Sequence, residues 1–230
     1  VTEPTTGAAA HAQWNEEMVR KYDPDLFHSH RNPVIRWVEG KRVRVVTNAL
    51  ADCTGPILEV GCGAGNVLAR LEGEKLFGVD LSSYLLGKAS DRLEGRARLT
   101  LGSGEALPYT AGSFDGVLCT EVIEHVLNPK QVMEEIARVL RPGGFLAMSV
   151  PNEDLIDRLK GAVSLTGLYR QVFGSRDFES PMENEWHLHR FNRVLLETLV
   201  TSAFDLLRVV SIPFATLPLR YVAVMCRRSI

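Results

Sequence analysis

Three glycines spaced by two, Gly61, Gly63 and Gly65, follow the apolar run Ile57-Leu58-Glu59-Val60. A buried strand that ends in such a turn delivers bare backbone to a ligand, because no Cβ obstructs the approach and glycine tolerates positive φ. A helix is expected after the turn, and its positive end would favour a negative group there. A small polar ligand therefore belongs at this turn. Asp80 ends a second apolar run, KLFGVD at 75–80, 15 residues past Gly65. A carboxylate so placed can accept hydrogen bonds from both hydroxyls of a ribose. The dinucleotide fingerprint requires G-x-G-x-x-G, whereas Asn66 stands where the third glycine would fall, which disfavours a pyrophosphate.

Two further polar groups have chemistry-bearing types. Glu121, Glu124 and His125 follow the apolar run FDGVLC at 114–119, at the carboxyl end of a strand, where open α/β sheets bind ligands. His187 and His189 alternate within Glu185-Trp186-His187-Leu188-His189-Arg190-Phe191, and period two puts both imidazoles on one side of an extended segment. For His125 the competing role is a helix-start histidine satisfied by backbone, and for the H-x-H pair it is fold-holding hydrogen bonds. Glu121, Glu124 and His125 lie close enough to share one hard divalent ion, but oxygen-ligand sites normally need more ligands, so no metal is expected. Cys53, Cys62, Cys119 and Cys226 form no C-x-x-C pair, which argues against zinc and a disulfide framework and for a reducing, cytoplasmic setting. Cys62 and Cys119 lack a neighbouring activator and read as packing residues.

The elements that would position these groups are legible in the hydrophobic pattern. ILEV (57–60), KLFGVD (75–80), ARLTL (97–101), FDGVLC (114–119) and GFLAMSV (144–150) read as five strands spaced by helical segments, implying a parallel sheet covered on both faces. The clearest helix opens at Asn128-Pro129 and stops at Arg141-Pro142-Gly143-Gly144. LLRVVSI (206–212) and YVAVMCRR (221–228) read as an antiparallel pair. Before the sheet, residues 1–54 form a helical preface, with one helix around Trp14 to Lys21 and another from Pro33, capped by Asn32, through Ala51. Its apolar stripe is Val34, Ile35, Val38, Val45 and Leu50. The main domain spans 55–230. Within it, residues 154–193 are too long for a bare connector and read as a cover insertion, amphipathic over 154–173, which allows a core face, a substrate lid or peripheral membrane contact.

Composition narrows the function classes. A chain of 230 residues, 45% hydrophobic and 23% charged, can bury a sizeable core, which excludes disorder. Its formal charge of -2 creates no global positive field for nucleic acid, so none is expected as a partner. The Lys41, Arg42 and Arg44 cluster alternates with Val43 and Val45 and reads as the solvated side of a helix. Residues 1–13 lack a signal-peptide pattern and no run of 18 apolar residues occurs, so a soluble chain is expected. Oligomeric state has no sequence signal.

The motifs E-V-G-C-G-A-G (59–65), G-V-D (78–80), G-S-G-E-A-L-P-Y (102–109), F-D-G-V-L-C-T-E-V-I-E-H-V (114–126) and L-R-P-G-G-F-L-A-M-S-V-P (140–151) stand in a specific order. In this the sequence resembles the class I S-adenosylmethionine-dependent methyltransferases from about residue 55 to 228. The resemblance implies a Rossmann-like three-layer α/β sandwich with a seven-stranded, mostly parallel sheet, an antiparallel C-terminal strand pair and the helical preface. It implies S-adenosyl-L-methionine as cofactor, with Glu59, Gly61, Cys62, Gly63, Gly65 and Asn66 at its methionyl and ribose part. Asp80 would hold the ribose, Leu81 the adenine face, Ser103, Gly104 and Glu105 the adenine edge, and Glu121 would open toward the methyl group. Many relatives carry Asp where Ser103 stands, a stronger acceptor for the adenine amino group. The E-V-I-E-H-V run and Y-D-P-D-L-F-H-S-H-R-N-P (22–33) are similar to ubiquinone-pathway O-methyltransferases. In those, an arginine after N-P meets the cofactor carboxylate, and Arg36 is the nearest counterpart, displaced by one position.

Methyl transfer is an in-line displacement, so the protein chiefly holds nucleophile, methyl and sulfur in line and excludes water. A phenol or alcohol acceptor must also lose a proton, for which an imidazole is suited. His125 is the first choice of base, with His187 and His189 flanking the acceptor. A small phenolic, quinone-precursor, polyketide or sugar-type molecule, methylated on oxygen, is the expected acceptor. Nitrogen or carbon methylation and a cofactor-binding subunit without turnover are the alternatives. Leu168, Tyr169, Phe173 and Trp186 would suit an aromatic acceptor, and His11, His28 and His30 of the preface read mainly as solvated, with a substrate contact open to His28 or His30.

Overall fold

The computed structural model describes residues 7–28, 30–73, 75–165, 186–200 and 202–229. Seven strands form one sheet in the order β3-β2-β1-β4-β5-β7-β6. They are β1 (Ile57–Val60), β2 (Leu76–Asp80), β3 (Ala97–Leu101), β4 (Phe114–Thr120), β5 (Leu140–Pro151), β6 (Phe204–Phe214) and β7 (Leu217–Arg227). The first five are mutually parallel, and β7 runs antiparallel to both its neighbours. Every residue of β1 and β4 is buried, as suits largely apolar central strands covered on both faces, and this burial takes Glu59 and Asp115 out of water as well. The chain steps outward from β1 through β2 to β3, then returns to the other side of β1 for β4 and β5. That reversal opens a crevice beyond the carboxyl ends of β1 and β4. The glycine turn and Glu121 therefore emerge side by side.

Six α-helices are described: α1 (Ala8–Tyr22), α2 (Pro33–Asn48), α3 (Ser83–Leu93), α4 (Pro129–Val139), α5 (Glu153–Leu165) and α6 (Arg193–Thr198). Asn32, Ser82, Asn128 and Asn192 cap α2, α3, α4 and α6 by accepting backbone N–H groups. On one face of the sheet, Val132, Met133 and Ile136 of α4 and Leu196 of α6 pack with Leu58, Val117 and Met148. On the other, Val38, Val43 and Val46 of α2 and Ala89 and Leu93 of α3 pack with Ile57, Leu118 and Val222. The result is the three-layer sandwich expected from the motif order. Among the described residues, no helix is long and apolar enough to cross a membrane.

Several elements differ from expectation. Helix α1 begins six residues before Trp14, because Ala8, Ala9 and Ala10 are strong helix formers. Helix α2 ends at Asn48 rather than at Ala51, and Val34 of its expected apolar stripe is exposed. The glycine turn leads into a single 3-10 turn at Leu68–Arg70, without an α-helix. Only ten residues run from Asn66 to Lys75, and Gly73, at φ 131°, breaks them. The expected helix dipole is therefore absent, as is a helix between β3 and β4. Of the cover insertion, Gly167, Leu168, Tyr169, Val172, Phe173 and Glu185 lie outside the described residues, as does the 166–173 part of the stretch considered for membrane contact.

Candidate active site

The turn after β1 takes its shape from three left-handed glycines, Gly61 (φ 68°), Gly63 (φ 50°) and Gly65 (φ 75°). A Cβ at Gly61 would lie 2.2 Å from Val122 Cγ2, so glycine is required there by space as well as by backbone angle. Asp80 fastens the turn: its Oδ2 accepts the Gly63 N–H at 2.7 Å and its Oδ1 accepts the Ser82 N–H at 2.8 Å. Each oxygen retains a lone pair for a further donor. Asn66 ties the turn to the preface by donating from Nδ2 to Asp25 Oδ1 at 2.8 Å. A cavity of about 230 Å³ opens above, with Leu81, Ser103, Gly104 and Glu105 along one side. Ser103 Oγ accepts the Glu105 N–H at 3.1 Å, and Glu105 Oε1 accepts the Asn128 N–H at 2.8 Å.

Behind the turn lies a buried charge network. Arg42 is 3% exposed, which corrects its reading as a solvated helix residue. Its Nε donates to both carboxylate oxygens of Glu39, at 3.0 and 3.1 Å, and its Nη1 to Ser149 Oγ at 3.3 Å. Ser149 Oγ donates to Glu121 Oε1 at 2.8 Å, and Arg220 Nε donates to Glu121 Oε2 at 2.7 Å. Burial pushes the Glu39 carboxyl up, but the adjacent Arg42 outweighs it and holds the group at about 2. Glu59 has no hydrogen bond from that guanidinium, and burial, only partly opposed by the Arg42 charge, raises it to about 8. Its Oε2 is buried without a protein partner. Glu121 adopts φ 54°, a left-handed angle unusual for a non-glycine residue, at the point where β4 opens into the crevice.

The imidazoles are set by the chain that returns at Trp186. His125 Nδ1 lies 3.3 Å from the Trp186 carbonyl oxygen, which can only accept, so Nδ1 carries the proton and Nε2 keeps a lone pair. Burial, then the neighbouring His187, hold the His125 pKa well below the usual imidazole range, and the ring is neutral at pH 7. Its centroid is 4.4 Å from the Trp186 ring and 4.7 Å from the His187 ring. His187 pairs through Nδ1 with Glu153 Oε1 at 2.8 Å, and both rings line the cavity. His189 is not among the cavity's lining residues and donates from Nε2 to the Val126 carbonyl at 2.9 Å. The shared side expected for the H-x-H pair is lost because the chain bends at Leu188 and His189, whose N–H groups both donate to the Glu124 carbonyl.

Other expected residues are placed as follows. Arg36 is exposed, does not line this cavity and donates to the His30 carbonyl at 3.0 Å, because α2 turns it outward. Buried His11, donating to the His125 carbonyl at 2.9 Å, and His28 both line the cavity, correcting their solvated reading. Burial pushes the Cys62 and Cys119 thiols up, as suits packing residues. One ligand atom each from Glu124, His125 and His187 lies within 4.8 Å of the others. Glu121 is not in this group, being held by Ser149 and Arg220, and His187, which spacing could not bring to the Glu-x-x-Glu-His run, takes its place, so the number of converging ligands stays at three. Sequence reasoning missed Glu39, Arg42, Ser149, Glu153 and Arg220. A signal existed for the first two, since they fall on the Val38, Val43, Val46 stripe of α2.

Residues 58–148 match the family model described as a methyltransferase domain. Methyltransferase GfsG of Streptomyces halstedii is 42% identical over 101 residues, 40% of this chain and 36% of that protein. A ubiquinone biosynthesis O-methyltransferase of Methylococcus capsulatus is 36% identical over 131 residues, 54% of this chain and 55% of that protein. The fold is shared with the N-methyltransferase NodS of Bradyrhizobium japonicum, solved with S-adenosyl-L-homocysteine. The TM-score is 0.65 at 16% identity, covering 95% of this chain and 98% of that one. By domain model, by curated relatives and by fold, the chain is similar to the class I S-adenosylmethionine-dependent methyltransferases. It spans only about a third to a half of the length of the two curated relatives just named. The methyltransferase cavity fits the family's cofactor on its own chemistry. Glu59 Oε2 is an acceptor awaiting a cationic donor, Gly61 cannot carry a Cβ, and the Asp80 oxygens can take two more donors.

Proposed function

We propose that this chain transfers a methyl group from S-adenosyl-L-methionine to an oxygen of a small phenolic, quinone-precursor, polyketide or sugar-type acceptor. The observation that carries this reading is His125, a neutral imidazole with its Nδ1 proton held by a carbonyl, on the same cavity as the glycine turn. The bound cofactor supplies an electrophilic methyl on a sulfonium. Glu59 and the backbone of Gly61, Cys62, Gly63 and Gly65 cradle its methionyl part, with Asn66 holding the turn. Asp80 takes the ribose hydroxyls, Leu81 packs on the adenine, and Ser103, Gly104 and Glu105 follow its edge. Because the Ser103 hydroxyl oxygen already accepts the Glu105 N–H, adenine recognition rests more on Gly104 and Glu105. Glu121, held by Ser149 and Arg220, faces the methyl-transfer region. His125 accepts the acceptor proton, His187 is oriented beside it by Glu153, and His189 secures the wall. The preface closes the acceptor side through His11 and His28. A reducing, cytoplasmic setting fits the four free cysteines.

The test is a panel of catechols, phenols, sugars and amines supplied with S-adenosyl-L-methionine. Stoichiometric S-adenosyl-L-homocysteine and O-methyl product are expected, and methylation confined to amines overturns the reading. His125→Ala is expected to lower kcat by about 10²- to 10⁴-fold, the usual contribution of a general base, with S-adenosyl-L-homocysteine affinity unchanged. Undiminished turnover in that variant removes His125 from the chemistry.

Glu59 gives a second, independent readout. With its pKa at about 8, the empty site holds it mostly protonated at pH 7. A cationic amino group arriving beside Oε2 favours the charged form and drives the proton off. Calorimetry of S-adenosyl-L-homocysteine binding at pH 7, in buffers of different ionisation enthalpy, should show net proton release that Glu59→Gln abolishes. Equal heats in all buffers contradict the contact.

A further inference from the structure

A second cavity, of about 500 Å³, lies beside the first and shares with it Asp25, His28, Glu39 and Asn66. Arg36 and Arg44 on α2, Arg70 on the turn after β1 and Arg92 on α3 enclose it, although the chain as a whole carries a charge of -2. The two carboxylates facing it are already matched. Glu39 is bound by buried Arg42, and Asp25 is bound by Arg92 at 3.0 Å, with Lys88 3.7 Å away. His28 is held neutral at pH 7, first by burial. Arg36 uses one N–H on the His30 carbonyl. Arg44 and Arg70 make no side-chain hydrogen bond or ion pair among the described residues. Three guanidinium groups drawn from two elements thus face one cleft without a matching anion, an arrangement that self-repulsion disfavours in an empty site.

The floor of the cleft is equally distinctive. Arg36, Gly40, Val43, Arg44 and Thr47 line it at helical spacing along one face of α2. Gly40 stands between the two arginines in the helix interior, where glycine is unfavourable relative to alanine. A Cβ there would meet nothing within 4 Å among the described residues, so their packing does not call for its absence. The bare backbone leaves room for a ligand between the two guanidinium groups.

We propose that this cleft is an anion site for a phosphoryl group, a phosphate monoester or a diphosphate. The planar fork of a guanidinium matches phosphate oxygens in pairs, and three uncompensated cations are better balanced by a dianion than by a single carboxylate. The shared wall puts the phosphoryl group next to the methyl-transfer cavity. It belongs either to the tail of an elongated acceptor or to a free ligand.

Calorimetry on the full chain saturated with S-adenosyl-L-homocysteine tests this, using inorganic pyrophosphate and phenyl phosphate as probes at about 0.1 M salt. Saturable binding is expected, weakened about tenfold or more in Arg44→Ala/Arg70→Ala, a loss in keeping with two charge-assisted contacts. Both side chains are exposed, so the variant should fold and retain its nucleoside affinity. Gly40→Leu, which fills the floor without altering charge, should weaken binding as well. Tighter binding of phenyl phosphate assigns the site to an organic acceptor, and tighter binding of pyrophosphate assigns it to a free anion. Equal affinity in wild type and the double variant, or no saturable binding of either probe to the nucleoside-saturated chain, overturns the proposal. Failure of the nucleoside itself to bind would count against the methyltransferase reading instead, since the two titrations are separate.

Discussion

Asp80→Asn is expected to weaken S-adenosyl-L-homocysteine binding on the order of a hundredfold, the consequence of losing charge-assisted hydrogen bonds to two ribose hydroxyls. The geometry makes the conservative change severe. Both oxygens of the native carboxylate accept backbone N–H groups, Gly63 on one side and Ser82 on the other. An amide must turn its NH₂ toward one of these donors, so either the glycine turn or the start of α3 loses its anchor. Burial raises the Asp80 carboxyl, and the Ser82 and Gly63 N–H groups oppose that rise. Titration calorimetry gives the answer directly. An affinity within about threefold of wild type would mean that the carboxylate serves the loop and not the ligand.

Arg42→Met is expected to cost about 3–5 kcal/mol of folding stability, because removing one partner of a buried pair leaves an uncompensated charge. Glu39 would lose its partner and Glu59 the nearest opposing charge. Adding Glu39→Leu should recover most of the loss, since replacing both members of such a pair by apolar residues is often neutral. The pair also sets an acid response. Glu39 has a folded pKa of about 2 against an ordinary 4.5, a depressed value. Its contribution is therefore complete above pH 4.5 and is lost as pH falls toward 2. Urea unfolding at pH 7 and pH 3 should show this acid loss in wild type and not in the double variant. An unchanged midpoint in Arg42→Met at pH 7 would show that the network carries no net stability.

How much of this was legible in sequence depends on the range of the interaction. The strands, the caps at Asn32 and Asn128 and the spacing from Gly65 to Asp80 are local patterns, so they appear in the chain order itself. The antiparallel C-terminal pair was visible because a short proline-bearing stretch between two apolar runs leaves little choice but to turn back. The helix expected after Gly65 failed for a local reason too, since ten residues broken by Gly73 return to β2 before a second turn can form.

The chain order alone established the strands, the C-terminal pair and the glycine turn with its carboxylate, all products of short-range periodicity and turn chemistry, whereas the strand order that opens the crevice came with the fold. Only the folded molecule decided which distant side chains meet. It buried Arg42 against Glu39, brought Arg220 to Glu121 and His187 to His125, and turned Arg36 away from the first cavity to border an arginine-lined cleft. The physical reason is that a charged residue on an amphipathic helix has the same local pattern whether it meets water or a buried partner. What distinguishes the two is the identity of the opposing element, which is set by tertiary packing.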